Sequence, residues 1–355
     1  MTNPAVLPVA PQAPAGRAFA ERLANYRDLT HRAVRDRLPP KEPRRYLYDL
    51  VSQCLERSGK GLRPAFCLAT CRAFGGRLED ALDSAAAIEV LHNAFLVHDD
   101  IEDNSEYRHG RPTLHREYGV PIALNTGDAL QALSMRLLRN NLSTLGPELA
   151  WQVVNEFDHM LMESLEGQSM ELGWIRDNTC DVSESDYLRM VLKKTCWYSF
   201  IHPCRIGALI ARRGALDLDT FNEFGYFLGA AFQIQDDVLN LVGSREQYGK
   251  EIGGDLYEGK RTLMLTHLFT QSSPQERRKL QDLLSRPRER RLPREIDWVY
   301  ELLGKYGSIA FAQDRARELL DAAQTAFNDA FASAPEGDDK AFLAQTLQYV
   351  VDRRS

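Results

Sequence analysis

Residues 92–103 read HNAFLVHDDIED, and this stretch decides the fold of the 355-residue chain. It ends a run over residues 79–103 in which apolar positions recur at intervals of three and four residues. That period is typical of a helix with a buried face. The acids at its end follow apolar turns and oppose the helix dipole. The sequence therefore predicts a buried helix that carries carboxylates at its C-terminus.

The carboxylates of this first acidic motif share one helix face. Asp99 and Asp103 are four residues apart, and Asp100 and Asp103 are three apart, which are the spacings of helix neighbours. Like charges this close repel each other, and a cation between them removes the repulsion. Oxygen-only ligands suit a hard divalent ion, and Mg²⁺, which keeps several waters and bridges phosphates, fits best. A solvated acidic helix end is the alternative interpretation.

Most of the remaining chain shows the same helical period. It recurs over residues 18–37, 43–57, 64–75, 121–141, 147–172, 184–213 and 217–243, and shorter runs follow from 261 to 352. Prolines fall between the runs, where helices begin or end. No period-two pattern and no Asn-Gly or Asp-Gly hairpin signal appears. We therefore predict an all-α fold, with residues 1–16, which hold four prolines, as a flexible tail and residues 17–355 as one helical domain.

The composition excludes several classes of protein. An apolar share of 44% supplies a sizeable core, and a net charge of −6 gives no general attraction to nucleic acid. No run approaches the roughly 18 apolar residues that a membrane helix needs, so we expect no stable membrane insertion. The six cysteines form no C-x-x-C pair, which favours a reducing compartment and hence a cytoplasmic protein.

A second acidic motif lies further along the chain. Asp236 and Asp237 close another apolar helical run, with Asn240 where a third acid could stand. A glycine-rich loop follows, and it holds Lys250, Asp255, Lys260 and Arg261. Two acidic helix faces can hold one diphosphate through bridging metals, while lysines neutralise its remaining oxygens as point charges. The two motifs together are a stronger indication than either one alone.

Further basic residues lie in three short stretches. GKGLRP at 59–64 places Lys60 and Arg63 just before a helix, whose N-terminus suits anions. YRHGRPT at 107–113 follows the first acidic motif, and KKT at 193–195 precedes an aromatic segment. Each could be a surface charge, but together they supply the positive groups for a second diphosphate that binds no metal. The basic loop 286–294 is interpreted as a solvated connector rather than an anion site.

These residues resemble the trans-type isoprenyl diphosphate synthases, the polyprenyl synthetase family, from about residue 45 to about residue 350. The resemblance rests on motifs in a fixed order: GKGLRP, HNAFLVHDDIEDNSEYRHGRPTLH, KKT, FQIQDD and GKEIGGDLYEGKRT. It implies an all-α bundle around a deep central cavity, a homodimer, and Mg²⁺ as cofactor with three ions per active site. The implied reaction joins isopentenyl diphosphate to an allylic diphosphate.

The resemblance also implies a role for each motif residue. The direct metal ligands would be Asp99, Asp103 and Asp236, with Asp100 and Asp237 acting beside them. The allylic diphosphate would be held by Arg108, Lys194 and Lys250, with Lys260 at the rim. Isopentenyl diphosphate would be held by Lys60, Arg63 and His92. The residues that face the developing carbocation would be Thr195 and Gln233.

Two positions depart from the family pattern. The family usually has a second arginine after the first acidic motif, which helps to hold isopentenyl diphosphate, and here that position is His109. A histidine is only partly charged near pH 7, so the resemblance implies a weaker and pH-dependent affinity for isopentenyl diphosphate. In the second motif Asn240 replaces an acid, at a position that is often not a direct ligand, so we expect little loss there.

Product length is expected to depend on the residues below the first acidic motif. On an ideal helix Phe95 lies one turn below Asp99 and Leu91 two turns below it, and Ala94 nearby is small. In the family a bulky residue at these places shortens the product, so one aromatic beside one alanine predicts an intermediate cavity. We expect geranylgeranyl diphosphate as the main product and farnesyl diphosphate as the next.

Two other functions share these motifs. A class I terpene cyclase keeps the metal motifs but needs no isopentenyl diphosphate site; Lys60, Arg63 and His92 argue against it and His109 argues for it. A non-catalytic subunit of a heteromeric synthase typically loses acidic-motif residues, whereas this chain keeps five of six aspartates. For a homodimer, the candidate faces are the apolar helices 79–95 and 121–138.

Overall fold

The computed structural model describes residues 14–38, 41–57, 59–243 and 252–352, most of which are helical. The first half contains α1 (Pro14–Arg37), a π-helical turn (Arg44–Tyr48), α2 (Asp49–Glu56), α3 (Leu62–Ala73), α4 (Leu78–Glu102), β1 (Tyr107–Arg108), β2 (Arg111–Pro112), α5 (Leu114–Tyr118), α6 (Val120–Leu138), α7 (Asn141–Thr144) and α8 (Pro147–Arg176). The second half contains α9 (Glu184–Val191), a π-helix (Leu192–Ile201), α10 (His202–Arg212), α11 (Thr220–Val242), α12 (Gly254–Glu258), α13 (Leu263–Gln271), α14 (Pro274–Ser285), a 3₁₀ turn (Arg288–Arg290), α15 (Pro293–Lys305), α16 (Ser308–Ala330) and α17 (Asp338–Asp352).

Helix α4 is buried on every side over residues 83–91. This is the pattern of a helix enclosed by others. It packs against α1, α3 and α6, while α3 packs against α10, and α11 against α16. The π-helix packs against both α8 and α11. The apolar faces of these helices meet in one continuous core.

The observed helices agree with the sequence prediction, and the all-α fold class is confirmed. Each of the long apolar runs is helical, with bounds that differ by a few residues. Local signals account for several helix starts: Ser183 and Ser273 each begin a helix with a capping box, in which the serine and an acid three residues later bond each other's backbone N–H groups. That the chain forms one domain stays a prediction.

Helix α1 begins at Pro14, so residues 14–16, which were expected to belong to the tail, are helical. Proline suits the first turn of a helix, because its missing N–H would have no partner there. Residues 1–13 lie outside the described residues. None of the described helices combines the length and the apolar character that crossing a lipid bilayer requires. All six cysteines lie in described segments, and all are free thiols.

A short antiparallel hairpin interrupts the helices between α4 and α5. Tyr107 pairs with Pro112, and Arg108 with Arg111. The turn residues His109 and Gly110 have φ angles of 50° and 73°, and two positive φ angles give the tight turn that fits the twist of paired strands. The expectation of no hairpin was wrong because His-Gly adopts the conformation that Asn-Gly or Asp-Gly usually supplies. The hairpin turns the chain back toward the end of α4.

The basic loop 286–294 is less solvated than expected. The Arg291 side chain is buried and donates hydrogen bonds to the carbonyl oxygens of Leu256, Tyr257, Leu284 and Arg286. Helix C-termini leave carbonyl groups without partners inside the helix, and this one arginine satisfies such groups of α12 and α14. The hydrogen bonds of Arg291 therefore join α12 to α14 and hold α12 beside the cavity described below.

Candidate active site

A cavity of about 470 Å³ lies between α4, α8, the π-helix and α11. Residues of every predicted motif line it: Lys60, Arg63, His92, Phe95, Asp99, Arg108, His109, Lys194, Thr195, Gln233, Asp236, Asp237 and Lys260. Convergence of charged groups from distant segments in one concave site is typical of an active site. The carboxylates of the two motifs form two groups. We name them the first wall (Asp99, which lines the cavity, with Asp100 and Asp103 behind it at the end of α4) and the second wall (Asp236 and Asp237, which line it from α11).

Cations pair with the first wall. Arg108, returned by the hairpin, donates from Nε to Asp100 at 2.7 Å and from a terminal nitrogen to Asp99 at 3.0 Å. Lys194 approaches the other oxygen of Asp99 at 3.4 Å. Burial alone would lower the pKa of Arg108, but Asp100 and Asp99 outweigh it and raise that pKa. Arg108 therefore stays charged beside these two carboxylates.

Asp103 is the most secluded member of the first wall. Its side chain is 3% exposed, against 9% for that of Asp100, and accepts a hydrogen bond from Lys260 at 2.6 Å. The same ammonium group lies 3.0 Å from Glu258. Burial raises the pKa of Asp103, and the charge of Lys260 opposes that rise. The contact joins α12 and its following loop to the end of α4, so both predicted sequence motifs meet at this point.

Neutral donors hold Asp237 of the second wall. Asp237 is 7% exposed and accepts hydrogen bonds from the Tyr187 hydroxyl and the Gln233 amide, both at 2.8 Å. Gln233 in turn accepts a hydrogen bond from the Thr195 hydroxyl at 2.9 Å. Burial raises the pKa of Asp237, while the two hydrogen bonds lower it. Thr195, Gln233 and Asp237 thus form a connected chain along the cavity.

Asn240 has a structural role in place of a third carboxylate. It is 3% exposed, its side-chain oxygen accepts a hydrogen bond from the backbone N–H of Asp255 at 3.2 Å, and its backbone oxygen accepts one from Gly253 at 2.7 Å. Asp255, which also lines the cavity, is therefore fixed by the end of α11.

The π-helix presents Lys194 and Thr195 to the cavity. Its wider turns shift side chains relative to an ordinary helix, and such turns recur at functional sites. Gly167 of α8 permits the close approach, because a Cβ built on it would overlap the backbone nitrogen of Lys194. The Lys194 ammonium then reaches Glu171 of α8 at 2.5 Å as well as Asp99.

Arg63 and His92 lie together in the cavity. A terminal nitrogen of Arg63 lies 3.1 Å from Nε2 of His92, and the other donates to the Tyr198 hydroxyl at 2.8 Å. Burial, followed by the nearby charges of Arg63 and Arg108, lowers the pKa of His92. His92 is therefore neutral and accepts the hydrogen bond from Arg63.

Lys60 and His109 border the same region. The Lys60 ammonium lies 5.3 Å from the centre of the Tyr349 ring, so α17 brings a cation–π partner to this lysine. His109 is exposed at the turn of the hairpin. A Cβ built on Gly59 would lie 3.8 Å from Cε1 of His109, so the hairpin turn lies against the GKGLRP segment.

Four predicted site residues of the described segments are not part of the cavity lining: Asp100, Asp103, Leu91 and Ala94. Leu91 and Ala94 are buried, 1% and 0% exposed, in the core rather than in the cavity lining. Of the three residues proposed to set product length, the cavity therefore contains Phe95, and the roles of all three stay predictions. Lys250 lies outside the described residues.

The comparison with known proteins identifies the family. The sequence model of the polyprenyl synthetases matches residues 44–303. This chain belongs to the polyprenyl synthetase family. It is 30% identical over 332 residues to the short chain isoprenyl diphosphate synthase of Methanothermobacter thermautotrophicus, which covers 93% of this chain and 97% of that protein. It is also 30% identical over 335 residues to the geranylgeranyl pyrophosphate synthase of Geoglobus acetivorans, with 94% and 99% covered.

The crystal structure of geranylgeranyl pyrophosphate synthetase from Pyrococcus horikoshii has the same fold. The two structures superpose with a TM-score of 0.83 at 28% identity, over 95% of this chain and 99% of that one. Sequence family and fold agree, and this polyprenyl synthetase is a trans-prenyltransferase of the isoprenyl diphosphate synthase class.

The donors of this polyprenyl synthetase fit a hard divalent cation. Asp99, Asp236 and Asp237 line the cavity with carboxylate oxygens, the ligands that Mg²⁺ prefers. Within the described ranges, no three acidic, histidine or cysteine side chains are grouped closely enough to hold a metal by themselves. Such an arrangement suits Mg²⁺ that is bound by few carboxylates and completes its shell with water and substrate phosphate.

The sequence analysis did not single out several polar residues of the cavity. Gln168 and Glu171 of α8 are three residues apart and both line it, and so does Tyr187. Gln168 donates to Glu102 at 2.5 Å, and Glu171 pairs with Lys194. The sequence did contain a pattern that could have indicated these residues of α8. Positions 164, 168 and 171 are polar, and a helix places them on one face, next to apolar neighbours.

Proposed function

We propose that this polyprenyl synthetase condenses isopentenyl diphosphate with an allylic diphosphate in a Mg²⁺-dependent reaction. One observation carries the proposal: the carboxylates Asp99 and Asp236 and the separate cationic group of Lys60 and Arg63 line the same cavity. The reaction needs two diphosphate sites, one for the group that leaves and one for the group that stays. Metal-binding carboxylates suit the first site, and arginine and lysine suit the second.

The first chemical step is departure of the allylic diphosphate. The bond between its C1 carbon and the diphosphate oxygen breaks, and both bonding electrons leave with the oxygen, so an allylic cation remains. Mg²⁺, held by Asp99, Asp103 and Asp236, would neutralise charge on the leaving group; we propose three ions per site. Arg108, Lys194 and Lys260 add fixed positive charge beside those carboxylates, and Lys250 is proposed to act with them.

The second step forms the carbon–carbon bond. The double bond of isopentenyl diphosphate donates its electron pair to C1 of the allylic cation, and the new cation then loses a proton to the released diphosphate. Lys60, Arg63 and His92 would hold the diphosphate of isopentenyl diphosphate, with His109 near it. Oxygen dipoles of Thr195 and Gln233 would face the cation, and an apolar lining that includes Phe95 and Phe232 excludes water that would trap it.

We propose geranylgeranyl diphosphate as the main product, with farnesyl diphosphate next. Phe95 lines the cavity and Leu91, one turn deeper on α4, does not, so the hydrocarbon chain meets Phe95 as it grows. Two of the relatives above carry the name of geranylgeranyl pyrophosphate synthases, which supports a product of this length or close to it.

We also propose that the enzyme is a cytoplasmic homodimer. Large apolar residues are exposed on α6 (Val120, Leu124 and Met135) and on α8 (Trp151, Met162 and Leu165), with Leu142 of α7 close by. The two long helices contact each other, and an exposed apolar surface of this kind is typical of an interaction face. This supports the predicted face 121–138, whereas residues 79–95 were wrongly suggested as a face, because they are almost entirely buried within the chain.

The decisive experiment follows ¹⁴C-labelled isopentenyl diphosphate. The purified chain is incubated with Mg²⁺ and, separately, with dimethylallyl, geranyl or farnesyl diphosphate, and the dephosphorylated products are separated by chromatography. We expect labelled linear prenols, mainly geranylgeraniol, and none when EDTA is present.

Three outcomes would contradict this proposal. A cyclised hydrocarbon without label would identify a terpene cyclase. No turnover by the purified chain, with turnover restored by a second subunit, would identify a non-catalytic subunit. Labelled product that is unaffected by EDTA would contradict the metal requirement.

A further inference from the structure

Tyr198 connects two parts of the cavity that have different tasks in the proposed reaction. It lies on the π-helix four residues after Lys194, and both side chains line the cavity. The Arg63 guanidinium lies over the Tyr198 ring, 4.4 Å from its centre, and donates a hydrogen bond to the Tyr198 hydroxyl at 2.8 Å. The same ring packs edge-to-face on Phe95, with ring centres 5.5 Å apart. One side chain thus contacts both a diphosphate-binding candidate and a residue proposed to limit product length.

Arg63 is oriented by neutral partners. Its two terminal nitrogens contact His92 and Tyr198, and His92 is uncharged for the reason given above. Across the described segments no carboxylate forms an ion pair with Arg63, whereas Arg108, Lys194 and Lys260 all pair with acids. A guanidinium that is held in place without a fixed anion is prepared for an anionic ligand, because little ordering remains to be done on binding.

The ring pair of Phe95 and Tyr198 spans the cavity from α4 to the π-helix. On α4 the polar residues Glu89 and His92 still line the cavity beyond this pair, but the apolar Leu91 and Ala94 do not, so the apolar part of the α4 lining ends at Phe95. The neighbouring Trp197 does not line it either. Its ring packs on His159 and His202, with ring centres 4.8 Å and 5.1 Å away. Of the two adjacent aromatic residues, Tyr198 is therefore the one that a growing hydrocarbon can reach.

We propose that Tyr198 has two separable roles, a proposal that rests on the function proposed above. Its hydroxyl is a positioning group that orients Arg63 for the diphosphate of isopentenyl diphosphate. Its ring, together with Phe95, closes the cavity and limits the length of the product. The two roles belong to different atoms of one side chain, so different substitutions at this position separate them.

The test compares four variants with the wild type under steady-state conditions, with product chromatography. Tyr198→Phe keeps the ring and removes the hydroxyl; we expect the KM for isopentenyl diphosphate to rise about 10-fold, with kcat and product length unchanged. Tyr198→Leu removes both groups, so we expect the same rise in KM together with products at least one five-carbon unit longer. Phe95→Leu should lengthen the product without changing that KM. The matched control, Trp197→Phe, alters the adjacent aromatic residue outside the cavity and should change neither quantity.

The outcomes separate this inference from the proposed function. A wild type that does not incorporate isopentenyl diphosphate overturns both. An active wild type whose KM for isopentenyl diphosphate is unchanged in Tyr198→Phe contradicts the positioning role. An active Tyr198→Leu enzyme with wild-type product length contradicts the limiting role, and circular dichroism confirms that each variant is folded. If Tyr198→Leu does not fold, Tyr198→Met replaces it in the length assay.

Discussion

Asp237 of the second wall differs from the carboxylates of the first wall in how its charge is balanced. On the first wall Arg108, Lys194 and Lys260 supply positive charge to Asp99, Asp100 and Asp103. On the second wall the partners of Asp237 are a tyrosine hydroxyl and a glutamine amide. The difference follows from the chain around each motif. A hairpin returns an arginine to the first wall, whereas α9 and the preceding turn of α11 place neutral donors beside the second. Similar Asp-Asp motifs therefore need not have similar electrostatic surroundings.

The largest effect is expected from loss of charge at the first wall. Asp99→Asn keeps the shape of the side chain and removes its negative charge, with which Arg108, Lys194 and a divalent ion would interact. We expect kcat to fall about 10³-fold, since one preorganised electrostatic contact at an active site is worth about 10²–10³ and a metal ligand is lost as well. Steady-state rates at saturating Mg²⁺ measure this. A decrease smaller than about 10-fold would contradict the metal role of the first wall.

The next effect concerns the cation between the first wall and α8. Lys194→Gln removes one of the cationic partners of Asp99 and leaves Glu171, which is 7% exposed, without its ammonium group. We expect kcat/KM for the allylic diphosphate to fall about 10²-fold. The adjacent Lys193 is the matched control, because it pairs with Glu163 and Glu166 and does not line the cavity. Equal losses in Lys194→Gln and Lys193→Gln would show that the ion pairs serve the fold rather than the reaction.

The second wall is tested through its neutral donor. Tyr187→Phe removes the hydroxyl that donates to the buried carboxylate of Asp237. We expect the free energy of unfolding to fall by about 1–3 kcal/mol, the cost of a buried polar group that loses its partner. Urea denaturation measures it. Tyr306→Phe provides the comparison, since the Tyr306 hydroxyl donates a hydrogen bond to the surface residue Glu276. If Tyr306→Phe lost as much free energy of unfolding as Tyr187→Phe, burial of the Asp237 carboxylate would not be the cause of the loss.

A third ionic cluster, around Glu156, lies outside the cavity and shows how a carboxylate with cationic partners behaves away from the two walls. Glu156 accepts hydrogen bonds from Arg205 at 2.6 and 2.9 Å and lies 2.9 Å from Nδ1 of His202. Burial would raise the pKa of Glu156, but the bonds from Arg205 and His202 outweigh it and lower that pKa to about 2. A lowered pKa means that the folded state binds fewer protons than the unfolded one. The contribution of Glu156 to stability is therefore present above pH 4.5 and is lost as the pH falls toward 2.

The Glu156→Gln variant tests this pH dependence. We expect it to be less stable than the wild type by about 1–2 kcal/mol at pH 7, after allowance for screening by solvent. The difference should become smaller as the pH is lowered from 4.5, because the wild-type carboxylate then takes up a proton. Urea denaturation at several pH values measures both curves. A difference that grows on acidification would contradict the assignment.

The sequence alone predicted the helices, and most of the site residues that it named line one cavity, although their roles stay predictions. Periodic apolar positions specify helices directly, and the spacing of Asp99, Asp100 and Asp103 on such a helix indicates a cation site without further information. Sequence order cannot show which cation meets which carboxylate, because Lys194 and Lys260 reach the first wall from segments far along the chain. Tyr198 illustrates the same limit. Its contacts with Arg63 and Phe95 join segments that are far apart in the chain.

Gly167 has a consequence for the engineering of this enzyme. Libraries that aim at other products naturally diversify the residues whose side chains touch the substrate, and a glycine offers no side chain to change. Yet any larger residue at 167 displaces the backbone at Lys194, and with it a cation beside Asp99. A mutational scan should therefore record position 167 as one of the positions on α8 that tolerate substitution least. Gly167→Ala is the smallest substitution that would shift Lys194, by a fraction of an ångström.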